Sequence, residues 1–375
     1  MTISPVPALF QPLRVGNLDL KHRVVLAPLT RLRNDANHVP GPQAATYYSQ
    51  RASTPGTLLI SEGTAIAPRA GGWPHLPGIW SDAHIAAWKE VTTAVHAKGS
   101  YIFCQIAAIG RAAHAKALQE QGYDVVSSSD LPYTDESGAV TIPRYLTVDE
   151  IQEYPRLFAQ AAENAIAAGF DGIELHGANG YFIDQFLQDT VNNRTDEYGG
   201  SVESRARLPL EIVDAVSKAI GSSRVGFRMS PWVDIQDMGM KDPVPTFSYL
   251  ACQLKKRSIA YIHVIEPRPH LFSPEDGDKS KWDPNVTNIS NDFLRKIWAD
   301  LPYITADGNT RESALRDAEA KGGLYAFGRL YISNPDLPRR LKDDLPLTLP
   351  DRSKFYMAGN MTAEGYTDWP FASET

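Results

Sequence analysis

The sequence predicts an α/β chain folded as one TIM (β/α)8 barrel spanning residues 1–375, and two observations carry that expectation. Eight short β-branched or apolar runs recur along the chain: Val24 to Leu26, Thr57 to Ser61, Tyr101 to Ile106, Gly172 to Leu175, Val225 to Met229, Tyr261 to Ile265, Tyr303 to Thr305 and Leu324 to Phe327. Several are apolar throughout instead of alternating, as strands buried on both faces of a parallel sheet are. Between many of them the apolar period lengthens to three or four residues, the spacing of one helix face. Parallel strands need such crossovers, and eight strand-helix units close a barrel of the usual size in preference to an open doubly wound sheet.

Taken in order, the first element is a hairpin from Phe10 to Asp19 with Gly16-Asn17 as its turn, expected to plug the barrel bottom before the first strand. Helical stretches follow at Ile85 to Ala97, Val148 to Ala168, Ser204 to Ile220, Thr246 to Arg257 and Ile289 to Leu301. Two segments exceed simple connections. Gly110 to Tyr145, rich in Ser, Asp, Gly and Pro, follows the third strand, and Pro267 to Asn285 follows the sixth. Loops after barrel strands lie on the face that carries active sites, so both are expected over a substrate pocket. No linker or composition break divides the chain.

A chain of this length buries roughly three quarters of the surface its unfolded form exposes, so it needs no disulfide staples. Apolar residues make up 43% and charged residues 22%, an ordinary globular composition. With 37 Lys and Arg against 44 Asp and Glu, the net charge of −7 lacks the electrostatic footprint of a nucleic-acid or anionic-membrane partner. Cys104 and Cys252 are too few for a disulfide framework or a zinc site and read as buried thiols. The residues from Met1 to Gln11 lack the pattern of a signal peptide, and no apolar run is long enough to cross a bilayer, so a cytoplasmic location is expected. The sequons at Asn193, Asn285, Asn288 and Asn360 are read as chance. No metal site is expected, and small-molecule chemistry becomes the default.

Dinucleotide, phosphate-loop, zinc-protease and nucleophile-elbow signatures are all absent. What stands out is the end of the fourth strand, Glu174-Leu175-His176-Gly177-Ala178-Asn179-Gly180-Tyr181. If the chain turns helically there, His176 and Asn179 lie roughly 5 to 6 Å apart at Cβ and can converge on one acceptor. Two donors aimed at one oxygen stabilise negative charge developing on it. Tyr181 adds a phenol able to give a proton to carbon once an enolate forms. A purely structural Gly-rich turn would use the same residue types.

The segments Ala27-Pro28-Leu29-Thr30-Arg31, Ser61-Glu62-Gly63-Thr64, His176-Gly177-Ala178-Asn179-Gly180-Tyr181, Asn193-Arg194-Thr195-Asp196-Glu197-Tyr198-Gly199-Gly200-Ser201, Arg228-Met229-Ser230-Pro231 and Phe327-Gly328-Arg329 together resemble the Old Yellow Enzyme family, flavin-dependent ene-reductases. They stand in the family's order, and the resemblance runs from about Phe10 to Phe371. It implies a barrel holding FMN at the carboxyl ends of its strands, with NADPH or NADH as transient hydride donor and an enone or enal as substrate. Thr30 would hydrogen-bond the flavin carbonyl beside N5, and Pro28, Leu29 and Gly63 would pass backbone close to the ring. Gln105 would meet the pyrimidine edge, and Arg228 would place positive charge near N1 and O2. Gly308-Asn309 and Gly328-Arg329 would cradle the phosphate, where barrels often bind one. Tyr356 resembles a tyrosine that lines the pocket.

The implied reaction has two halves: hydride passes from the nicotinamide to flavin N5, then to the β-carbon of a substrate whose oxygen His176 and Asn179 hold, while Tyr181 protonates the α-carbon. One departure stands out. Where the family has a tryptophan two positions after Gln105, this chain has Ala107, which predicts a roomier pocket unless Trp73 or the Gly110 to Tyr145 excursion refills it. Redox-neutral isomerisation or desaturation on the same scaffold, and a non-catalytic flavin-binding protein, are the competing readings. Oligomeric state is not legible.

Overall fold

The computed structural model describes residues 5–135, 138–267 and 289–373. The expected strands form, nearly residue for residue: β1 Val24–Leu26, β2 Leu58–Ile60, β3 Tyr101–Ala107, β4 Gly172–Gly177, β5 Val225–Met229, β6 Tyr261–Ile265, β7 Tyr303–Ala306 and β8 Leu324–Phe327. They pair in chain order, each parallel to the next. β8 pairs with β1, and β3 with β4 through Gly172 opposite Phe103, so the sheet closes into a barrel without free edges. A two-residue strand, Thr64–Ala65, adds to β3 near the mouth, setting Ala65 opposite Ala107.

Among the described residues, eight helices cover the outside: α1 Ala44–Arg51, α2 Asp82–His96, α3 Val148–Ala167, α4 Val202–Ile220, α5 Val244–Lys256, α6 Asp292–Trp298, α7 Arg311–Lys321 and α8 Leu337–Asp343. Their starts have local causes. Ser81, Thr147 and Thr310 open α2, α3 and α7 with reciprocal capping boxes, and Ser201 Oγ accepts from Ser204 N at α4. Outward-facing residues of the strands, among them Leu26, Cys104, Ile173, Leu175, Phe227 and Val264, pack against the apolar stripes of these helices.

Inward-facing residues form a separate core. The hairpin Leu13–Val15 with Leu18–Leu20 sends Val15, Leu18 and Leu20 into the barrel bottom, against Val25, Leu58, Phe103, Tyr261 and Leu324. The plug is therefore where the turn signal placed it. Gly16 makes the turn with φ +53°, and a Cβ there would stand 2.0 Å from the Ser223 carbonyl oxygen.

Several expectations need correction. The stretch from Ile289 to Leu301 yields only α6, which Ala299 ends at φ +55°. Three helices escaped the periodicity test for different reasons. α1 is short and rich in tyrosine, α7 buries only Ala314 and Ala318, and α8 is one of the shortest. Cys104 is buried but Cys252 is exposed, because it lies on the outer face of α5 while Ala251 and Leu254 face inward. The Gly110 to Tyr145 excursion is structured. It contains helix Ala115–Gln119, a parallel pairing of Val126–Ser127 with Arg144–Tyr145, and a small hairpin of Tyr133–Thr134 with Val140–Thr141. Most of the Pro267 to Asn285 excursion, with the sequons at Asn285 and Asn288, lies outside the described residues.

Gly16→Ala is expected to cost more than about 1 kcal/mol, since the added methyl meets both a left-handed backbone and a carbonyl. Thermal unfolding should show a lowered midpoint with the far-ultraviolet circular dichroism at low temperature unchanged. An unaltered midpoint would mean the hairpin does not anchor the bottom.

Candidate active site

Along the barrel axis the inward-facing positions change character. On β3 they run from Phe103 to Gln105, on β4 from Gly172 to Glu174 and His176, on β5 from Gly226 to Arg228, and on β6 from Tyr261 to His263. Apolar packing at the bottom gives way to polar groups at the carboxyl ends. Glu174, fully buried, bridges two of them: Gln105 Nε2 donates to its Oε1 at 2.8 Å, and His263 Nδ1 meets its Oε2 at 2.8 Å. Burial works to raise this carboxyl, but His263, the hydrogen bonds and the nearby Arg228 guanidinium outweigh it and hold it below the usual range. Burial lowers the His263 imidazole, so the neutral ring donates through Nδ1. His176 is driven well below 6.5 by burial, then by Arg228 and His263, and is neutral at pH 7.

Four buried atoms in this layer and the turn above it have no hydrogen-bond partner: His176 Nδ1, Asn179 Oδ1, Arg228 Nε and His263 Nε2. Buried polar atoms are normally paired, so a cluster of orphans at one barrel mouth marks a place where a ligand supplies the partners. An isoalloxazine ring, with carbonyls and an N–H along one edge, carries matching acceptors and a donor, so the donor set fits FMN.

The turn after β4 differs from expectation. His176 lies within the strand, and Asn179 sits in left-handed backbone at φ +59° instead of in a helical turn, so spacing along a helix does not relate the two side chains. Hydrogen bonds from below hold this conformation. Asn179 N donates to Ser230 Oγ at 2.8 Å, and Gly180 N donates to Asp184 Oδ2 at 2.9 Å. Gln185 Nε2 donates to the Gly180 carbonyl at 2.7 Å while its Oε1 accepts from Ser127 Oγ at 2.9 Å, tying the turn to the excursion. Burial pushes the Asp184 carboxyl up to about 7.

Tyr181 opens helix Phe182–Leu187 with its ring 4.9 Å from that of His176 and 5.9 Å, edge on, from that of Trp73. Burial, then Tyr356 and Tyr133, raises its phenol above the usual 10, so it keeps its proton at neutral pH. Trp73 Nε1 donates to the Ala112 carbonyl, and the indole packs with Ile109, Ala112, Leu118 and Tyr181. Ala107 is buried at the end of β3.

Of the other expected cofactor residues, Pro28 is buried and Leu29 and Thr30 are half-buried just past β1. The next two amides, Arg31 N and Leu32 N, donate to Glu62 Oε2 at 3.1 and 3.3 Å. Burial raises Glu62 to about 7. Gly63 follows it, and a Cβ there would stand 3.4 Å from Gln105 Oε1. Arg31 donates to the carbonyls of Lys354, Phe355 and Gly365, anchoring the segment that carries Tyr356, itself 57% exposed.

At the other end, Gly308 is exposed at φ +57° and Gly328 lies against Leu29, with Arg329 exposed beside it. Asn309 Nδ2 donates to the carbonyls of Thr305 and Ala326, which joins the ends of β7 and β8. Both amide hydrogens are committed, so Asn309 can serve a phosphate only through its backbone.

The sequence alone assigns no role to Glu174, His263, Asp184, Ser230 or Glu62. For Glu174 and His263 the signal is present: a charged or polar side chain inside an apolar run, as in Gly-Ile-Glu-Leu-His and Tyr-Ile-His-Val-Ile, marks a strand whose inner face turns polar.

Residues 8–348 match the model of the NADH:flavin oxidoreductase / NADH oxidase family. The chain is 49% identical over 371 residues to a chanoclavine-I aldehyde reductase of Penicillium roqueforti, covering 98% of this chain and 97% of that one. It is 47% identical over 377 residues to an NADP-dependent oxidoreductase of Aspergillus flavus, with 98% and 97% covered. Its fold is similar to the crystal structure of Old Yellow Enzyme from Pichia sp. AKU4542, with a TM-score of 0.87 and 35% identity over 98% of this chain and 95% of that one.

The raised carboxyl of Asp184 has a consequence for stability. Between its ordinary value of 3.8 and about 7, the folded protein holds this proton more tightly than the unfolded chain does. Its contribution is therefore complete below the lower value and lost as pH rises through the higher one. Denaturant titrations should show wild type losing stability relative to Asp184→Asn across that window; parallel pH profiles would contradict the assignment.

Proposed function

The chain belongs to the NADH:flavin oxidoreductase / NADH oxidase family, that of the Old Yellow Enzymes, and is an FMN-dependent reductase of C=C bonds; we propose that its barrel mouth performs this reaction on α,β-unsaturated aldehydes or ketones, with NADPH as donor and with His176, Asn179 and Tyr181 as the groups that act on substrate. The observation that carries the reading is the cluster of unpartnered buried atoms on β4, β5, β6 and the following turn, flanked by the Tyr181 phenol. NADPH follows from the likeness to the NADP-dependent oxidoreductase of Aspergillus flavus.

FMN, when bound, supplies the two-electron relay, taking hydride from the nicotinamide and delivering it to the substrate. Thr30, Gln105 and Arg228 would hold its ring, with the backbone of Pro28, Leu29 and Gly63 passing close. Backbone amides at Gly308, Asn309 and Gly328 and the side chain of Arg329 would hold its phosphate. Neutral His176 and the Asn179 carboxamide donate to the carbonyl oxygen, drawing electron density from the β-carbon without adding a proton to the oxygen. A neutral imidazole suits this task, because it polarises by hydrogen bonding and cannot protonate the site. Tyr181 then gives its proton to the α-carbon. The α-carbon of the enolate left by hydride addition shares its negative charge and is basic enough to take a proton even from a phenol of raised pKa. Water enters afterwards to reprotonate the tyrosine.

Tyr181→Phe should leave flavin reduction by NADPH near the wild-type rate and slow the oxidative half-reaction with enones by about 100-fold or more. Stopped-flow measurement separates the halves, and full enone turnover would assign the proton elsewhere. His176→Ala combined with Asn179→Ala should abolish the binding of substituted phenols, which mimic the enolate oxygen. Ala107→Trp should shift relative activity toward small enones; an unchanged preference would show that Trp73 and the excursion, not position 107, bound the pocket.

A further inference from the structure

We propose that Glu174 is a positioning residue of the flavin site: touching no ligand itself, it sets the direction of the Gln105 amide so that the carbonyl oxygen of Gln105 points to the barrel mouth. This rests on the reading that FMN binds there. A carboxylate accepts hydrogen bonds and donates none, so the Gln105 amide must turn Nε2 toward Glu174 Oε1, where the contact measures 2.8 Å. Oε1 is then the atom left facing outward, on the side of Gly63, where a Cβ would come within 3.4 Å of it. The partner that this oxygen takes on the ligand is accordingly an N–H donor. An isoalloxazine keeps a hydrogen on N3 in both the oxidised and the reduced ring, so one fixed acceptor serves both states.

The other oxygen of Glu174 is equally committed, since neutral His263 donates to it through Nδ1. One fully buried side chain thus fixes an amide on β3 and an imidazole tautomer on β6 from its place on β4 between them. Removing its charge while keeping its shape leaves Gln105 free to turn over, and a turned amide offers a second donor where the ring needs an acceptor.

The test uses apoprotein titrated with FMN and with 3-methyl-FMN, whose N3 carries no hydrogen, followed by quenching of flavin fluorescence. Wild type should bind 3-methyl-FMN about tenfold or more weakly than FMN, the scale of one well-formed hydrogen bond in a buried site. In Glu174→Gln, FMN affinity should fall several-fold and the preference for FMN should shrink, because the Gln105 amide no longer has one enforced direction. Wild type that binds both flavins equally, or a folded Glu174→Gln with unchanged affinity and preference, overturns the proposal. Should Glu174→Gln fail to fold, Gln105→Glu carries the test: two carboxylates then face each other, and FMN binding at neutral pH should weaken by tenfold or more, whereas wild-type affinity in that variant overturns it. Wild-type apoprotein unable to take up FMN at all would refute the flavin-site reading itself, a result separate from either variant's.

Discussion

An ionised carboxylate with no access to water, at the centre of a parallel barrel, is tolerable only if both of its oxygens are hydrogen-bonded. Glu174 meets that condition through Gln105 and His263, and the rest of the mouth is arranged around it. Because side chains on a strand alternate, β4 can send Ile173 and Leu175 outward to the helices and Glu174 and His176 inward. The barrel therefore has an apolar lower storey, sealed by the hairpin, and a polar upper storey whose protein partners run out before its hydrogen-bonding capacity does. That shortfall is what a flavin and a carbonyl oxygen make good.

A second structure holds the rim in place. Arg31, Arg33 and Arg51 are buried around the stacked rings of Tyr47 and Tyr366, whose centroids lie 4.2 Å apart, with the Arg51 guanidinium 3.6 Å over Tyr47. Most of their donors go to backbone carbonyls, among them those of Lys354, Phe355, Asn360, Glu364 and Gly365. A segment with little regular structure gains fixed geometry in this way, because the rigid guanidinium fork reads carbonyl positions directly. Glu62 completes the arrangement by gripping the amides just past Thr30. The segment after β1 and the segment after α8 thus meet beside the mouth.

Much of the fold was legible in the sequence. Val225 to Met229 and Tyr261 to Ile265 are strands residue for residue: strands buried on both faces are apolar on both, and the pattern is broken only at Arg228 and His263, where the inner face turns polar. Gly16-Asn17 marked its hairpin through the one conformation that turn requires. What escaped depends on tertiary context. Nothing local distinguishes Asn179 in left-handed backbone from Asn179 in a helix; Ser230 and Asp184, distant or one turn onward, decide it. Asn309 reads as a phosphate donor until its strand neighbours claim both hydrogens. Cys252 reads as buried by residue type, yet helix phase turns it outward. Apart from Tyr356, the site residues drawn from the family resemblance fall on strand ends and adjoining turns at one end of the barrel, whereas the groups that orient them, Glu174 above all, come to light only when the inward face is traced strand by strand.

The most direct test is a crystal structure of the FMN-loaded protein with a para-substituted phenol. The account predicts the phenol stacked on the flavin with its oxygen about 3 Å from both the His176 imidazole and the Asn179 amide nitrogen. A phenol oxygen held by other groups, or His176 and Asn179 directed away from the ring, would contradict it.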